Sequence, residues 1–264
     1  MSKIIQNGHN FGRTYINGDT PKKLIINGDI FKLAKDPSLE PIVLCHFEDD
    51  FVDNQFTDAK GNVFTRNNNG VDVSDTYKKF GNKSAIWSSS AFAFAKTDLM
   101  PELNFLTNDF TIDLWVYLNG GSGRRTAFSL GLQTARGIQI ELQNNTPVMW
   151  FMHPTANKWL IGGDTYVYSG VSSINIPSNT WNHLAMVRNG NIVTLYINGR
   201  VGVSANIGSA SMRDFGADGA ACQVGTWGIN TTNYPFKSGA IDELRIVGRA
   251  VWTDEFAPPT EPYQ

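Results

Sequence analysis

One twenty-residue stretch, residues 181–200, restricts this chain to antiparallel β-structure. It reads WNHLAMVRNGNIVTLYINGR, in which two runs of apolar, β-branched and aromatic residues each end at an Asn-Gly pair. Such runs suit a half-buried pleated sheet, and Asn-Gly tolerates the positive φ angles of a type I′ hairpin turn. The stretch therefore predicts hairpin turns at 189–190 and 198–199, within a three-strand meander that continues to residue 205.

The same alternation of short strand-like runs and turn signals fills residues 41–264, and no segment shows a sustained helical period. Two antiparallel sheets that cover each other's apolar faces satisfy this pattern. We therefore predict an all-β fold, a two-sheet antiparallel jelly-roll sandwich, in one domain over 41–264. The predicted strands are 42–47, 63–65, 84–87, 91–95, 110–117, 126–130, 137–142, 148–151, 181–188, 192–197, 200–205, 220–225 and 238–247.

Residues 1–40 form a different unit. Asn-Gly pairs recur every ten residues, at 7–8, 17–18 and 27–28, each after a strand-compatible run, which predicts a small N-terminal β-meander. A proline-bracketed linker follows at 36–41. Three short strands have little core of their own. The meander either packs on the main domain or on its copy in an oligomer, or it docks the protein on a larger assembly.

Three segments in fixed order carry a family resemblance: FTIDLWV at 110–116, WNH at 181–183 and GAIDELRI at 239–246. Over residues 41–263 the chain resembles the laminin-G-like, concanavalin-A-like jelly-roll family. Its opening, 44–48, and its ending, 248–263, are similar to a subgroup found in bacteriophage virion proteins. The resemblance implies a capsid- or tail-attached decoration or adhesion protein that meets glycans on a host surface.

Glycoside hydrolases on this fold carry a Glu-x-Asp-x-Glu strand, because glycoside cleavage needs two carboxyl groups on one face of the sheet. The chain has no such run. The nearest carboxylates are the acidic run 48–50, at a strand end, and the adjacent pair Asp242 and Glu243, which point to opposite faces. His183 is most simply a hydrogen-bonded structural histidine. We predict no catalytic residues and a protein that is not an enzyme.

Calcium is the one cofactor expected. In the resembled family a structural calcium ties the first strand to the last, and the matching positions here are Glu48, Asp49 and Asp242. Many relatives have aspartate where this chain has the longer Glu48, which weakens the match. In the alternative, Asp242 pairs with Arg245 or accepts backbone N–H groups.

Carbohydrate binding needs exposed aromatic rings beside a few polar groups. Two long predicted loops supply such residues, although ordinary core packing is the simpler interpretation for any single ring. The pair Arg124-Arg125, beside a glycine-rich turn, could meet an acidic sugar or a neighbouring subunit, with a solvated turn as the simpler interpretation. The predicted sugar-binding residues are Trp150, His153, Lys158, Trp159, Trp227 and Tyr234.

Charge and hydropathy exclude other partners. The net charge is −2 and the basic residues are scattered, so no attraction to nucleic acid is expected. No run approaches the roughly 18 to 20 apolar residues that span a bilayer, and the first residues lack the apolar run of a secretory signal. We expect synthesis in a host cytoplasm, no membrane insertion, and a pair of cysteines, Cys45 and Cys222, that are reduced and buried or else joined in a long-range disulfide.

These observations lead to three functional hypotheses. The first is a non-enzymatic phage virion protein, localised in the virion, whose residues 1–40 dock on a capsid or tail protein and whose lectin-like domain is displayed. The second is a stand-alone carbohydrate-binding module, and the third is a glycan-cleaving enzyme. Exposed sheet edges in a small module also predict a homo-oligomer.

Overall fold

The computed structural model describes residues 4–6, 9–11, 23–26, 29–32, 40–88, 95–132, 136–154, 159–163, 167–226 and 234–264. Side-chain contacts are described from residue 40 onward. The described residues form β-strands and a single 3-10 turn, Pro101–Leu103, so the predicted all-β class is confirmed. Within these stretches, no helix has the length and apolar character needed to cross a bilayer.

In chain order the strands are β1 (Ile4–Gln6), β2 (His9–Phe11), β3 (Lys23–Ile26), β4 (Asp29–Lys32), β5 (Val43–Cys45), β6 (Gln55–Thr57), β7 (Val63–Arg66), β8 (Val71–Ser74), β9 (Ser84–Trp87), β10 (Ala95–Thr97), β11 (Phe110–Leu118), β12 (Arg124–Gly131), β13 (Arg136–Gln143), β14 (Thr146–Met152), β15 (Trp159–Gly162), β16 (Tyr168–Ser169), β17 (Trp181–Asn189), β18 (Ile192–Ile197), β19 (Arg200–Asn206), β20 (Ala221–Val224) and β21 (Gly239–Val247).

Two sheets stack face to face, as the sandwich prediction requires. The nine-stranded sheet has the order β16-β15-β14-β13-β12-β20-β10-β7-β6. The eight-stranded sheet has the order β19-β18-β17-β11-β21-β9-β8, and β5 also pairs with β21. All neighbours are antiparallel except the short β15–β16 pair. In both sheets, strands that are far apart in the sequence are neighbours. The strands of the two sheets therefore alternate along residues 43–247.

The hairpins of the 181–200 stretch form as predicted, with one difference in turn type. At 198–199 both residues have positive φ, 50° for Asn198 and 77° for Gly199, as a type I′ turn needs. In the first hairpin Asn189 pairs with Ile192, so the central residues shift to Gly190 and Asn191. Gly190 has a φ of 58° and Asn191 has no positive φ, which corresponds to a type II′ turn rather than the predicted I′ turn.

The core lies between the two sheets and is built by alternate residues of facing strands. From the eight-stranded sheet come Ile112 and Leu114 of β11, and from the nine-stranded sheet come Ile138 and Ile140 of β13. All four side chains are fully buried. This alternation is what the sequence predicts for strands that bury one face.

Both cysteines lie in this core and are free thiols, which confirms the reduced, buried alternative over the disulfide. Burial raises the pKa of both thiols, that of Cys222 beyond the range in which a thiolate forms near neutral pH. Neither thiol is therefore suited to act as a nucleophile.

The N-terminal strands are present as two separate hairpins. β1 pairs with β2, and β3 pairs with β4. The three Asn-Gly pairs, at 7–8, 17–18 and 27–28, lie outside the described residues. Among the described strands these four pair only within their own hairpins.

The C-terminal segment, residues 248–264, covers the outer face of the eight-stranded sheet. Trp252 and Phe256 stack on each other with ring centroids 4.0 Å apart, and both pack beside Tyr196 and Val187 on that face. Trp252 is 5% exposed. The segment thereby removes a second apolar surface from water, which is why β11 and β17 are buried on both faces.

A buried charged network fixes the same segment to the sheet. Arg245 Nε donates to Asp113 Oδ1 over 3.0 Å, and Tyr263 Oη donates to Asp113 Oδ2. His183 Nε2 lies 3.2 Å from the same carboxylate, and the His183 ring is fully buried. His183 thus has the structural, hydrogen-bonded place that the sequence predicts for it.

Candidate functional site

The cover formed by residues 248–264 occupies the outer face of the eight-stranded sheet. On the outer face of the nine-stranded sheet Gln139 and Trp150 are also buried, so the loops at its rim are the places where the sandwich can present functional side chains. Two of the aromatic residues proposed from the sequence lie on that outer face, and a third lies at the rim beside it.

Trp150 and Trp159 lie on neighbouring strands, β14 and β15, and their rings meet edge to face with centroids 5.3 Å apart. With Val148 and Met152 they form a small apolar cluster separate from the core. Each tryptophan is 5% exposed. The expectation of exposed loop rings is therefore wrong for this pair, because β15 adds to the sheet and the two indoles pack against each other.

Arg124 links this cluster to Tyr234. Its guanidinium carbon lies 3.9 Å from the centroid of the Tyr234 ring and 5.3 Å from that of Trp150. Its Nε and Nη2 donate to the two oxygens of Glu141 over 2.8 and 2.7 Å. Glu141 is fully buried, so this two-point ion pair fixes the guanidinium within reach of both rings.

Beside Arg124 opens a cleft of about 350 Å³, which we call the basic cleft. It lies where the loop between β11 and β12 meets the segment that leads into β21. Its volume is within the range of small-molecule sites, roughly 300 to 1,000 Å³. The described residues that line it are Gly121, Ser122, Arg124, Arg125, Tyr234, Pro235, Lys237 and Ser238.

Arg125 links two loops beneath the rim of the cleft. It is only 3% exposed, so the expectation of a solvated Arg-Arg turn is wrong for this residue. Nη1 donates to the carbonyl of Gly120 over 2.7 Å, and Nη2 donates to that of Asn144 over 3.0 Å. Among the described residues Nε has no hydrogen-bond partner and no carboxylate pairs with the group. Burial lowers the pKa of Arg125, which remains a cation at neutral pH.

Tyr234 presents its ring at the mouth of the cleft. Its φ is 48°, in the left-handed region that costs a bulky residue about 1 to 3 kcal/mol. The Tyr234 carbonyl accepts a hydrogen bond from the Thr126 N–H of β12, 2.8 Å away, which fixes this backbone. Tyr234 is 37% exposed. Its ring is therefore an aromatic surface that a ligand in the cleft can contact.

A row of polar side chains crosses the same outer face. Gln223, Ser129, Gln139 and Trp150 lie directly opposite one another on β20, β12, β13 and β14. Gln139 is 1% exposed, yet neither its Nε2 nor its Oε1 has a hydrogen-bond partner in the described part of the chain. Buried amides are normally hydrogen-bonded, so Gln139 is an exception, and both of its amide atoms are closed to solvent.

A sequence profile described as the concanavalin A-like lectin/glucanases superfamily, of laminin G type, matches residues 93–257. The chain belongs to this superfamily. The match contains the whole basic cleft and both tryptophans of the apolar cluster. No curated protein matches the chain.

Solved structures show the same lectin-like fold at low sequence identity. The binding domain of Paraclostridial Mosquitocidal Protein 1 is 18% identical, with a TM-score of 0.56, over 81% of this chain and 50% of that one. The Botulinum Neurotoxin serotype G binding domain is 15% identical, with a TM-score of 0.57, over 80% and 48%. This chain thus spans about half the length of these toxin domains.

A third structure matches over nearly its full length. Domain 4 of AbnA, a GH43 extracellular arabinanase from Geobacillus stearothermophilus, was solved in complex with arabinotriose. It is 24% identical to this chain, with a TM-score of 0.54, over 80% of this chain and 95% of that domain. These similarities establish the concanavalin A-like fold.

The calcium expected from the family resemblance requires about 6 to 8 oxygen ligands. In this lectin-like domain Asp242 is fully buried, and its Oδ2 accepts the backbone N–H groups of Lys79 and Phe80 over 2.9 and 3.2 Å. Its Oδ1 accepts the N–H of Glu243 over 2.9 Å. Burial raises the pKa of Asp242 to about 7, although these three hydrogen bonds oppose the shift.

The other two calcium candidates do not complete a ligand set around Asp242. Glu48 accepts the backbone N–H of Asn82, at 2.9 Å from Oε1 and 3.1 Å from Oε2, and Asp49 is exposed. No group of three or more His, Cys, Asp or Glu side chains that could hold a metal ion occurs in the described ranges. The arrangement matches the alternative in which Asp242 accepts backbone N–H groups, and a calcium-binding experiment is the test of the family-based expectation.

Among the predicted sugar-binding residues, the structure brings together Trp150, Trp159 and Tyr234. His153 follows β14 and is half-buried. Lys158 and Trp227 lie outside the described residues. No sequence motif marks Glu141 or Gln139 as functional. The signal that points to them is their alternation with the core residues of β13, which places both on the outer face.

Proposed function

We propose that this chain is a carbohydrate-binding domain and that the basic cleft is its binding site. The observation that carries the proposal is the exposed Tyr234 ring, fixed by its backbone and stacked on an ion-paired Arg124 at the mouth of a ligand-sized cleft. Sugars present an apolar ring face and polar hydroxyls, which match an aromatic surface flanked by hydrogen-bonding groups. The arabinotriose complex of the fold relative supports this proposal.

The proposed activity is binding without hydrolysis. Glycoside cleavage requires two carboxyl groups beside the scissile bond. The described lining of the basic cleft contains no carboxyl group, and the nearby Glu141 is fully buried and ion-paired to Arg124. We expect no release of reducing ends from a panel of polysaccharides.

A glycan array tests the proposal. The wild-type chain should bind a defined set of glycans, and Tyr234→Ala should weaken that binding at least about tenfold, since it removes the exposed ring. The control is Tyr77→Ala. The Tyr77 ring stacks on Tyr117 and lines a separate cavity of about 280 Å³. An array without signal would contradict carbohydrate binding, and loss of binding in Tyr77→Ala alone would move the site to the second cavity.

Attachment to a virion is a second candidate function, which the comparisons do not support. One observation favours a docking role for residues 1–40: among the described strands there, β1 pairs only with β2 and β3 only with β4, and isolated two-stranded pairs have marginal stability in water. Such a segment gains stability from a partner surface, either an assembly or a second copy of the chain.

Two measurements separate these partners. Light scattering of the full chain and of residues 41–264 should show an oligomer that is lost on truncation if the hairpins pair with their own copies. Cosedimentation with phage particles should require residues 1–40 if they dock on a capsid or tail protein. A full-length monomer that fails to cosediment would contradict both roles.

A further inference from the structure

We propose that the glycan site extends from the basic cleft into the neighbouring cavity beside Tyr77, so that the protein binds a chain of sugars rather than one terminal sugar. This inference rests on the proposed carbohydrate-binding function and specifies the class of glycan. The neighbouring cavity, which we call the second cavity, lies where β8, β9 and the start of β21 meet. Its volume of about 280 Å³ is close to the lower end of the range for small-molecule sites, roughly 300 Å³.

The first step is the position of the two cavities, which share one lining residue. Ser238 lines both of them, while Gly121 lines the basic cleft and Asn119, two positions earlier, lines the second cavity. The Asn119 N–H donates to the Ser238 carbonyl over 2.8 Å and so continues the pairing of β11 with β21 past the end of both strands. The two cavities are therefore adjacent openings on one rim of the sandwich, separated by a hydrogen-bonded backbone pair.

The second step is an aromatic surface in the second cavity that matches the one in the basic cleft. The Tyr77 ring lines the cavity and is half-buried. Its position is fixed on two sides, because it stacks on Tyr117 with ring centroids 4.4 Å apart and its backbone carbonyl accepts a hydrogen bond from the buried Ser84 hydroxyl. Tyr117 in turn contacts the half-buried Trp181 ring. A fixed, partly exposed aromatic ring can cover the apolar face of a sugar.

The third step is the set of polar groups around that ring. Asn69, Asn119 and Ser88 line the cavity and are exposed, and their amides and hydroxyl can both donate to and accept from sugar hydroxyl groups. Asp72 is the one charged residue of the described lining, and it forms an ion pair with Arg66 over 3.1 Å. The second cavity therefore suits an uncharged sugar ring.

The two aromatic rings explain why a chain is the expected ligand. One sugar can pack on Tyr234 or on Tyr77, whereas a chain that crosses Ser238 can contact both. The first contact holds the rest of the chain close to the second ring, so the second contact adds affinity at a high effective concentration.

Isothermal titration calorimetry with a size series tests this inference on the full chain. The probes are linear oligosaccharides of two, four and six units from cellulose, xylan and arabinan, together with the same sizes prepared from the glycan that binds most strongly on the array. We expect at least one series to gain about tenfold or more in affinity between two and six units, since only the longer chains reach both rings.

Variants then locate the gain. Ser88→Trp places a large side chain in the second cavity, and Ser209→Trp makes the same change at an exposed position after β19. Ser88→Trp and Tyr77→Ala should remove the gain with chain length and leave the affinity for two-unit ligands within about twofold of wild type, whereas Ser209→Trp should keep the gain. Tyr77→Ala thus remains a control for short glycans.

Two further variants results keep the parts of the proposal distinct. Tyr234→Ala should weaken binding at every chain length, because its ring belongs to the basic cleft. If Tyr77→Ala fails to fold in a melting experiment, Ser88→Trp decides the result, because Ser88 is exposed and its backbone hydrogen bond to Gly70 does not involve the side chain.

Equal affinity at every chain length would overturn the extended site and leave carbohydrate binding at the basic cleft intact. A gain with chain length that survives both Ser88→Trp and Tyr77→Ala would also overturn it, since the additional sugars would then lie elsewhere. Absence of binding to every glycan on the array would overturn the proposed function itself.

Discussion

The substitution Asp113→Asn should destabilise this protein more than any surface change. Asp113 is fully buried and accepts two hydrogen bonds from Arg245, at 3.0 and 3.3 Å, together with contacts from His183 and Tyr263. Asparagine keeps the shape and removes the negative charge. Arg245, which is only 6% exposed, then loses its ion pair with this carboxylate.

The size of the effect follows from that burial. Removing one partner of a buried ion pair costs about 3 to 5 kcal/mol, because the other charge remains desolvated and unpaired. Total unfolding free energies are about 5 to 15 kcal/mol, so a large share of the stability is affected. The change corresponds to a fall in melting temperature of roughly 6 °C or more for a chain of this size.

Urea unfolding followed by tryptophan fluorescence measures this change. The matched control is Asp218→Asn, the same chemical change at an exposed position, which should stay within about 0.5 kcal/mol of wild type. A loss below about 1 kcal/mol in Asp113→Asn would refute the reasoning, since it would mean that the network contributes no more than an exposed ion pair.

The pH dependence gives an independent check. Burial raises the pKa of Asp113, but the charge of Arg245 and the hydrogen bond from His183 outweigh burial and hold that pKa below its usual value. A carboxylate with a lowered folded-state pKa contributes stability above its unfolded pKa of about 4, and that stability is lost as the pH falls through the folded value. The difference between wild type and Asp113→Asn should therefore shrink steadily below about pH 4.

Three further predictions concern other parts of the molecule. Gly199→Ala should cost more than about 2 kcal/mol in urea unfolding, since its Cβ would overlap the carbonyl of Phe256 and its φ is 77°; Gly190→Ala, with positive φ and open space, should cost about 1 kcal/mol, and equal losses would contradict the docking of the C-terminal segment. Millimolar Ca²⁺ should change the melting temperature by less than about 1 °C, because both carboxylate oxygens of Asp242 already accept backbone N–H groups. A rise of several degrees would show that the protein binds calcium. Removal of residues 1–40 should leave the melting temperature of the sandwich unchanged, and a large fall would show that the hairpins belong to its core.

The parts of the fold that the sequence predicts correctly depend on neighbours in the chain. Asn198-Gly199 adopts its two left-handed conformations within a two-residue loop, so the turn and the register of β18 and β19 follow from local chemistry. The alternation of apolar residues in β11 likewise identifies its core face without reference to other strands.

The parts that the sequence does not predict depend on contacts between distant residues. Arg125 is buried because carbonyls of two different loops, at Gly120 and Asn144, accept its N–H groups. The ion pair between Asp113 and Arg245 joins residues that are 132 positions apart in the chain. The buried state of Trp150 requires β15 to join the sheet beside it, and the short run that forms β15 resembles a loop in isolation.

A crystal structure of the full chain with a glycan that binds on the array tests the central claim most directly. The account predicts a sugar ring packed on Tyr234 at the mouth of the basic cleft. A sugar bound elsewhere on the sandwich, with the basic cleft unaltered, would contradict it.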